Sequence, residues 1–184
     1  MRFVERAIFA AGLYPVLEAR RAGDIAKVRS HEAALRAADL LVLGAIADTI
    51  RAEEIGDVVR IHARAGANVG WITQDDELDL LRAVALSRIL GERAESIGVD
   101  WATSGLELAQ VALGFGASDL AGPIQKKSGL IVLETETRKV KGKGLVPLAQ
   151  LKKGEIARLV ENAGRAPIFV DEEPAPAQPE AMHA

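Results

Sequence analysis

The residues able to do chemistry are spread along the chain rather than gathered into one motif. Asp100, Trp101, Thr103 and Ser104 follow the apolar run Ile97-Gly98-Val99, and Asp119 holds the equivalent place in the next such run. If those runs are parallel strands, these residues stand at carboxyl ends, where α/β folds usually place their ligands. A ligand site is one reading of Asp100, Trp101 and Ser104; a core tryptophan, a solvated aspartate and a helix N-cap is the other. Asp119 serves equally as an acceptor for a ligand or as a turn residue. His62 and Arg64 end an earlier strand and could flank the same opening. No spacing of Asp, Glu or His around His62 builds a metal site, so no metal and no cofactor are expected.

Other charged groups carry less. Lys139, Lys141 and Lys143 alternate with Gly142 and Gly144, but the GxxxxGK[ST] spacing of a P-loop is missing, and a solvated hairpin is the simpler reading. Lys126-Lys127 and Lys152-Lys153 are too short to argue for RNA or a membrane surface. Asp75, Asp76, Glu77 and Asp79 crowd the first turn of a helix, where the dipole favours acidic residues. The chain has 184 residues, no cysteine and a formal charge of −3. Disulfides, thiol nucleophiles and cysteine-held iron–sulfur clusters are therefore excluded, and there is no basic footprint for nucleic acid.

The elements that must position these residues follow from periodicity. Ser30 is placed to cap a long helix through about Glu54, with Ala34, Ala38, Leu41, Val42, Ala45, Ile46 and Ile50 at helical spacing. Val58–His62 reads as a strand. Thr73 with Asp76 makes a capping box for a helix whose buried stripe is Leu78, Leu81, Ala85 and Ile89. Ile97–Ala102 is the next strand, and Ser104 with Glu107 caps the helix after it. Ser118–Ile124 is extended, Leu130–Leu133 is a strand candidate, a last helix carries Ile156, Leu159, Val160 and Ala163, and Pro167–Val170 is the last strand. In the first 23 residues, Gly12 and Pro15 interrupt the apolar stretch. That stretch is read as an amphipathic helix bending near Pro15, not as a signal peptide. No stretch reaches the roughly 18–20 apolar residues of a membrane span, so the expectation is a soluble, cytoplasmic protein.

Strand–helix alternation between Val58 and Ile124 predicts an α/β fold with parallel strands and right-handed crossovers. The organisation expected is an N-terminal helical extension over 1–29, a partial (β/α) barrel over 30–171 and a disordered Pro/Ala/Glu-rich tail over 172–184. A closed barrel takes eight such units and about 250 residues. A few parallel strands leave edges open, which predicts completion by oligomerisation or by a partner. The helix faces of Leu41/Ile46 and Leu81/Ile89 are the interface candidates.

Several segments resemble a known family. Ala38–Asp48, followed by Gly56-Asp57-Val58-Val59, is similar to the leader helix and first strand of a radical SAM subgroup. That subgroup comprises aminofutalosine synthase, cyclic dehypoxanthine futalosine synthase and deazaflavin (FO) synthase. Leu80–Leu90, Trp101 and Gly105–Gly122 resemble the last barrel units of those enzymes, and Glu155–Asp171 resembles their C-terminal helix and strand. The matches keep the family's order over more than half of the chain. The resemblance implies a shared barrel scaffold, with Asp119 at a position facing the barrel interior. The chain departs from the family where chemistry resides. The cysteine loop that holds the [4Fe–4S] cluster is missing, and so is the middle of the barrel. The family's Asp-Asp-Leu-Asp-Gly-Thr is here Ser118-Asp119-Leu120-Ala121-Gly122-Pro123, followed by Gln125-Lys126-Lys127 rather than acidic residues.

The functional expectation is a non-catalytic, radical-SAM-like accessory or scaffold subunit. It would associate with itself or with a full-length radical SAM relative, in the setting of menaquinone (futalosine) biosynthesis. The alternative is a nucleoside-like small-molecule binder or non-radical enzyme that uses the strand C-terminal pocket, lined by Asp100, Ser104, Asp119 and His62.

Overall fold

A computed structural model describes residues 3–125, 137–140, 144–147 and 151–170. Helices α1 (Phe3–Ala10), α2 (Tyr14–Arg21), α3 (Ile25–Ser30), α4 (Glu32–Ala37) and α5 (Leu40–Glu54) precede the first strand, β1 (Val58–His62). Then come β2 (Gly70–Trp71), α6 (Glu77–Leu90), β3 (Ile97–Asp100), α7 (Trp101–Ser104), α8 (Leu106–Ala112) with a 3₁₀ turn to Phe115, and β4 (Asp119–Ala121). The remainder is β5 (Ile124–Gln125), β6 (Thr137–Val140), β7 (Gly144–Pro147), β8 (Leu151–Lys152), α9 (Lys153–Asn162) and β9 (Ala166–Phe169).

Five strands form one all-parallel sheet in the order β2-β3-β4-β1-β9, while β5 pairs with β8 and β6 with β7. The α/β expectation therefore holds. The strand order is not the sequential one of a barrel: β3 and β4 stand between β1 and β2, and among the described residues β2 and β9 are edges. No helix joins β1 to β2. Residues 63–69 make the connection alone, and Val69 and Trp71 come to lie over Gly98, where a Cβ would stand 2.4 Å from the Trp71 ring. Only glycine permits that close approach.

Alternation along β1 decides the two faces of the sheet. Val59 and Ile61 are fully buried and join Val99 and Leu120 in the core under α5, α6, α8 and α9. Arg60 and His62 point the other way. Helices α1 and α2 pack outside α5, and α3 and α4 outside α6. The N-terminal helices are not an appendage. Ile8, Leu17 and Val28 belong to the same core, and buried Arg20 clamps Glu54 through both carboxylate oxygens at 2.7 and 3.0 Å.

Several boundaries differ from the expected ones, each for a local reason. The long helix is broken before α5: Ala38 is extended, and Asp39 rather than Ser30 caps, its carboxylate accepting from the Leu41 and Val42 amides. Asp76, not Thr73, caps α6, and Leu78 is exposed while Leu80 and Val84 fill the stripe with Leu81, Ala85 and Ile89. The N-terminal bend falls at Gly12, with φ +72°, and Pro15 sits in the first turn of α2 where no N–H is needed. Strand β3 ends at Asp100, whose side chain caps α7 through the Ala102 amide. The interface candidates also change. Ile46 and Ile89 have no exposed surface and Leu81 only 6%, so these three are consumed by the chain's own core, and Leu41 alone stays on the surface. The strand expected at Leu130–Leu133, Lys126-Lys127 and the 172–184 tail lie outside the described residues.

Candidate functional site

On the sheet face away from the core, the register sets side chains from neighbouring strands into rows. Arg60 of β1 is level with Asp119 of β4 and Ile168 of β9, and Asp119 is level with Gly98 of β3, beside Trp71 of β2. One step toward the carboxyl ends, His62 is level with Ala121 and Asp100. Parallel pairing thus brings together residues that are distant in the chain.

Asp119 is the centre of this face and is completely buried. Arg60 donates from Nε to Oδ1 and from Nη2 to Oδ2, both at 2.8 Å, in the two-pronged geometry that favours arginine over lysine. His62 Nε2 lies 2.8 Å from Oδ1, and the Ser118 hydroxyl donates to Oδ2 at 2.7 Å. Burial alone pushes the Asp119 carboxyl up, but the hydrogen bonds from Arg60, His62 and Ser118 outweigh it and hold the carboxyl below its ordinary value. The same pairing raises Arg60 against the opposing effect of burial.

Further contacts hold these groups in place. Arg60 Nη2 also donates to Ser96 Oγ at 2.8 Å, and the His62 ring meets Trp71 edge-on with centroids 5.5 Å apart. Ser118 Oγ accepts from the Ile97 amide and from Arg88 Nη2, both at 3.2 Å, which frees its proton for Asp119. Arg88 is fully buried, and its other donors reach the Gly116 and Glu95 carbonyls. Desolvation pulls that guanidinium down to about 10.

The arrangement has defined chemical capacities. His62 turns Nε2 to the carboxylate, and its Nδ1 makes no hydrogen bond among the described residues, so one ring nitrogen is held while the other stays open. Arg60 already neutralises Asp119, and the carboxylate fixes the orientation of the imidazole. No Ser or Thr hydroxyl bonds to His62 among the described residues, so no nucleophile–base relay is formed. No group of three or more His, Asp or Glu among the described residues could hold a metal ion.

The residues expected at the strand ends separate into three places. Asp119 and His62 come together. Asp100 is occupied as the α7 cap, and Trp101 is core, 5% exposed and packed on Gly122, with its Nε1 unpartnered. Ser104 donates to the Asp100 carbonyl at 2.8 Å and lines a separate cleft of about 420 Å³ with Thr73, Gln74, Asp75 and Thr103. In the connection between β1 and β2, the Gly66 carbonyl accepts the Trp71 indole N–H at 2.6 Å.

Sequence reasoning passed over Arg60, Ser96 and Ser118. The signal for Arg60 was present: a guanidinium in the middle of a strand of a sheet usually buried on both faces needs a carboxylate opposite it. No protein-family model matches the chain, and no curated protein matches it. No helix among the described residues is long and apolar enough to cross a membrane.

Proposed function

We propose that the chain is a cluster-less relative of the futalosine and deazaflavin radical SAM enzymes. It works as an accessory or scaffold subunit, by association with itself or with a full-length relative, in the setting of menaquinone biosynthesis. The observation that carries the reading is the place of β1. It lies beside β4, the end of the β2-β3-β4 run, and closure of a β/α barrel imposes that same neighbour relation on first and last strands. In this reading the β1–β4 neighbourhood is that relation kept without the intervening units. On the sheet's Arg60/Ile168 face, Ile168 is half exposed. Parallel sheets are ordinarily covered on both faces, which supports a covering partner. The cysteine-free sequence offers no thiolates for the iron–sulfur cluster of the family, so no radical step is assigned to this chain.

Size-exclusion chromatography with light scattering at micromolar concentration tests self-association, and native pull-down with mass spectrometry tests the heteromer. A folded, strictly monomeric protein that recovers no β/α relative overturns the reading.

The second reading, a small-molecule binder, is favoured by one observation: His62 Nδ1 and Arg60 Nη1 make no hydrogen bond among the described residues, on a face where Asp119 fixes both side chains. Thermal-shift assays with nucleosides, futalosine-like compounds and S-adenosylmethionine separate the two. A binder gains about 2.7 kcal/mol at a hundredfold excess over Kd, whereas a scaffold responds only to its protein partner.

A further inference from the structure

At the opposite, amino-terminal end of the sheet, two arginines share one carboxylate and leave donors unused. Arg51, at the end of α5, is fully buried. Its Nε donates to Asp48 Oδ1 at 2.9 Å and its Nη1 to the Gly56 carbonyl, while Nη2 has no hydrogen-bond partner. Arg165, in the turn between α9 and β9, donates from Nη2 to the same Asp48 oxygen at 2.7 Å, and from Nη1 to the Gly164 carbonyl at 3.5 Å. Its Nε is also buried without a partner. Among the described residues, the one further acidic group against them is Asp57, 69% exposed, whose Oδ1 stands 3.8 Å from Arg51 Nη2 and 3.9 Å from Arg165 Nη1, outside hydrogen-bond range of both.

A buried guanidinium N–H without an acceptor is costly, and here two such donors come from elements more than a hundred residues apart in sequence, brought together over Asp48. The Asp57 carboxylate stands beside both guanidinium groups, nearest Arg51 Nη2 and Arg165 Nη1, without a hydrogen bond to either. With Asp57 turned into solvent, two cations and one carboxylate remain, a net positive charge beside two unused donors. Oxygens spread tetrahedrally suit donors that arrive from two guanidinium planes. We infer that this cluster is a binding site for phosphate or a phosphate monoester, with Asp57 as the internal group that the ligand displaces. The site lies apart from the Arg60–Asp119–His62 face and does not depend on what that face does.

The test is thermal unfolding of the full chain titrated with inorganic phosphate, at ionic strength held constant with chloride. A saturable rise in Tm is expected. Asp57→Asn removes the competing charge and lowers the half-saturating phosphate concentration by about tenfold. Arg165→Gln abolishes the response, and Arg165→Lys, which keeps the charge that pairs with Asp48 but loses the fork, weakens it strongly. Phosphorus NMR line broadening of phosphate by the Asp57→Asn protein supplies a readout that needs no arginine variant. A wild-type and Asp57→Asn protein that both ignore phosphate overturn the inference, and so does a response that persists unchanged in the folded arginine variants.

Discussion

Replacing Asp119 by Asn is the most informative single change, because it removes one charge from a network that otherwise keeps its shape. Asp119 has no exposed surface, and its carboxylate accepts four hydrogen bonds from Arg60, His62 and Ser118. Losing one member of a buried ion pair costs about 3–5 kcal/mol. Two features reduce that figure here: the Arg60 side chain is 34% exposed and regains water, and the amide still accepts a hydrogen bond through its oxygen. A loss of about 2–3 kcal/mol remains. At about 2–4 °C per kcal/mol for a chain of this size, Tm falls by about 4–12 °C. The pH dependence has a defined sign. The folded carboxyl titrates below its ordinary value, so its stabilisation is complete at neutral pH. It begins to fade when the unfolded carboxyl protonates near about 3.9, and is lost as pH falls through the folded value. Urea unfolding of both proteins at pH 7 and pH 3.5 therefore shows a gap that narrows on acidification. An Asn variant as stable as the wild type at pH 7, or a gap unchanged at pH 3.5, refutes the network as described.

Three further outcomes follow from burial. Ile46→Ala costs about 2–5 kcal/mol because the side chain is fully enclosed, whereas Leu41→Ser on the same helix, at 75% exposure, changes chemical-denaturation stability by no more than about 0.5 kcal/mol. Arg20→Met strands Glu54, which is 6% exposed and held below its usual range by Arg20 and the Ala94 amide against the opposing pull of burial. The expected loss is about 3–5 kcal/mol, read by thermal or urea unfolding. Trp101→Phe removes an indole N–H that has no partner, so stability by the same measurements stays within about 1 kcal/mol of wild type.

Elements governed by local signals are legible in the sequence. The apolar alternation of Val59 and Ile61 defined β1, and the Gly-bounded helices fell close to their places. The caps were less legible. Asp39 and Asp76, rather than Ser30 and Thr73, cap α5 and α6 by reaching amides two residues ahead, and α8 starts at Gly105 with no side-chain cap, Ser104 lying inside α7. Faces were hardest to read. Ile46, Leu81 and Ile89 have the spacing of an amphipathic stripe whether the stripe meets the chain's own sheet or another subunit, and only the packed helices α1–α4 decide between them. Asp119 and His62 could each be named as candidates, yet their pairing depends on β1 lying beside β4, a neighbour relation that crosses 57 residues and leaves no trace in periodicity.

The two edges of the sheet bear differently on association. On β9 the amides of Ala166 and Val170 turn inward to the Asp57 and Ile61 carbonyls, so the alternate residues face outward. The first of these is Pro167, which has no N–H to offer a further strand, a common way of blunting an exposed edge. At the other edge β2 is two residues long, too short to template an extended pairing. Strand-to-strand extension is thus disfavoured at both margins. Among the described residues, one surface open to a partner is the sheet face beside Arg60, where Ile168 and Val170 are 50% and 39% exposed and Asp119 is already screened by its own arginine and histidine. The proposed association through that face would bury Ile168, so Ile168→Lys is expected to abolish it in light scattering while leaving the monomer folded. Association that survives Ile168→Lys unchanged refutes the face as the contact.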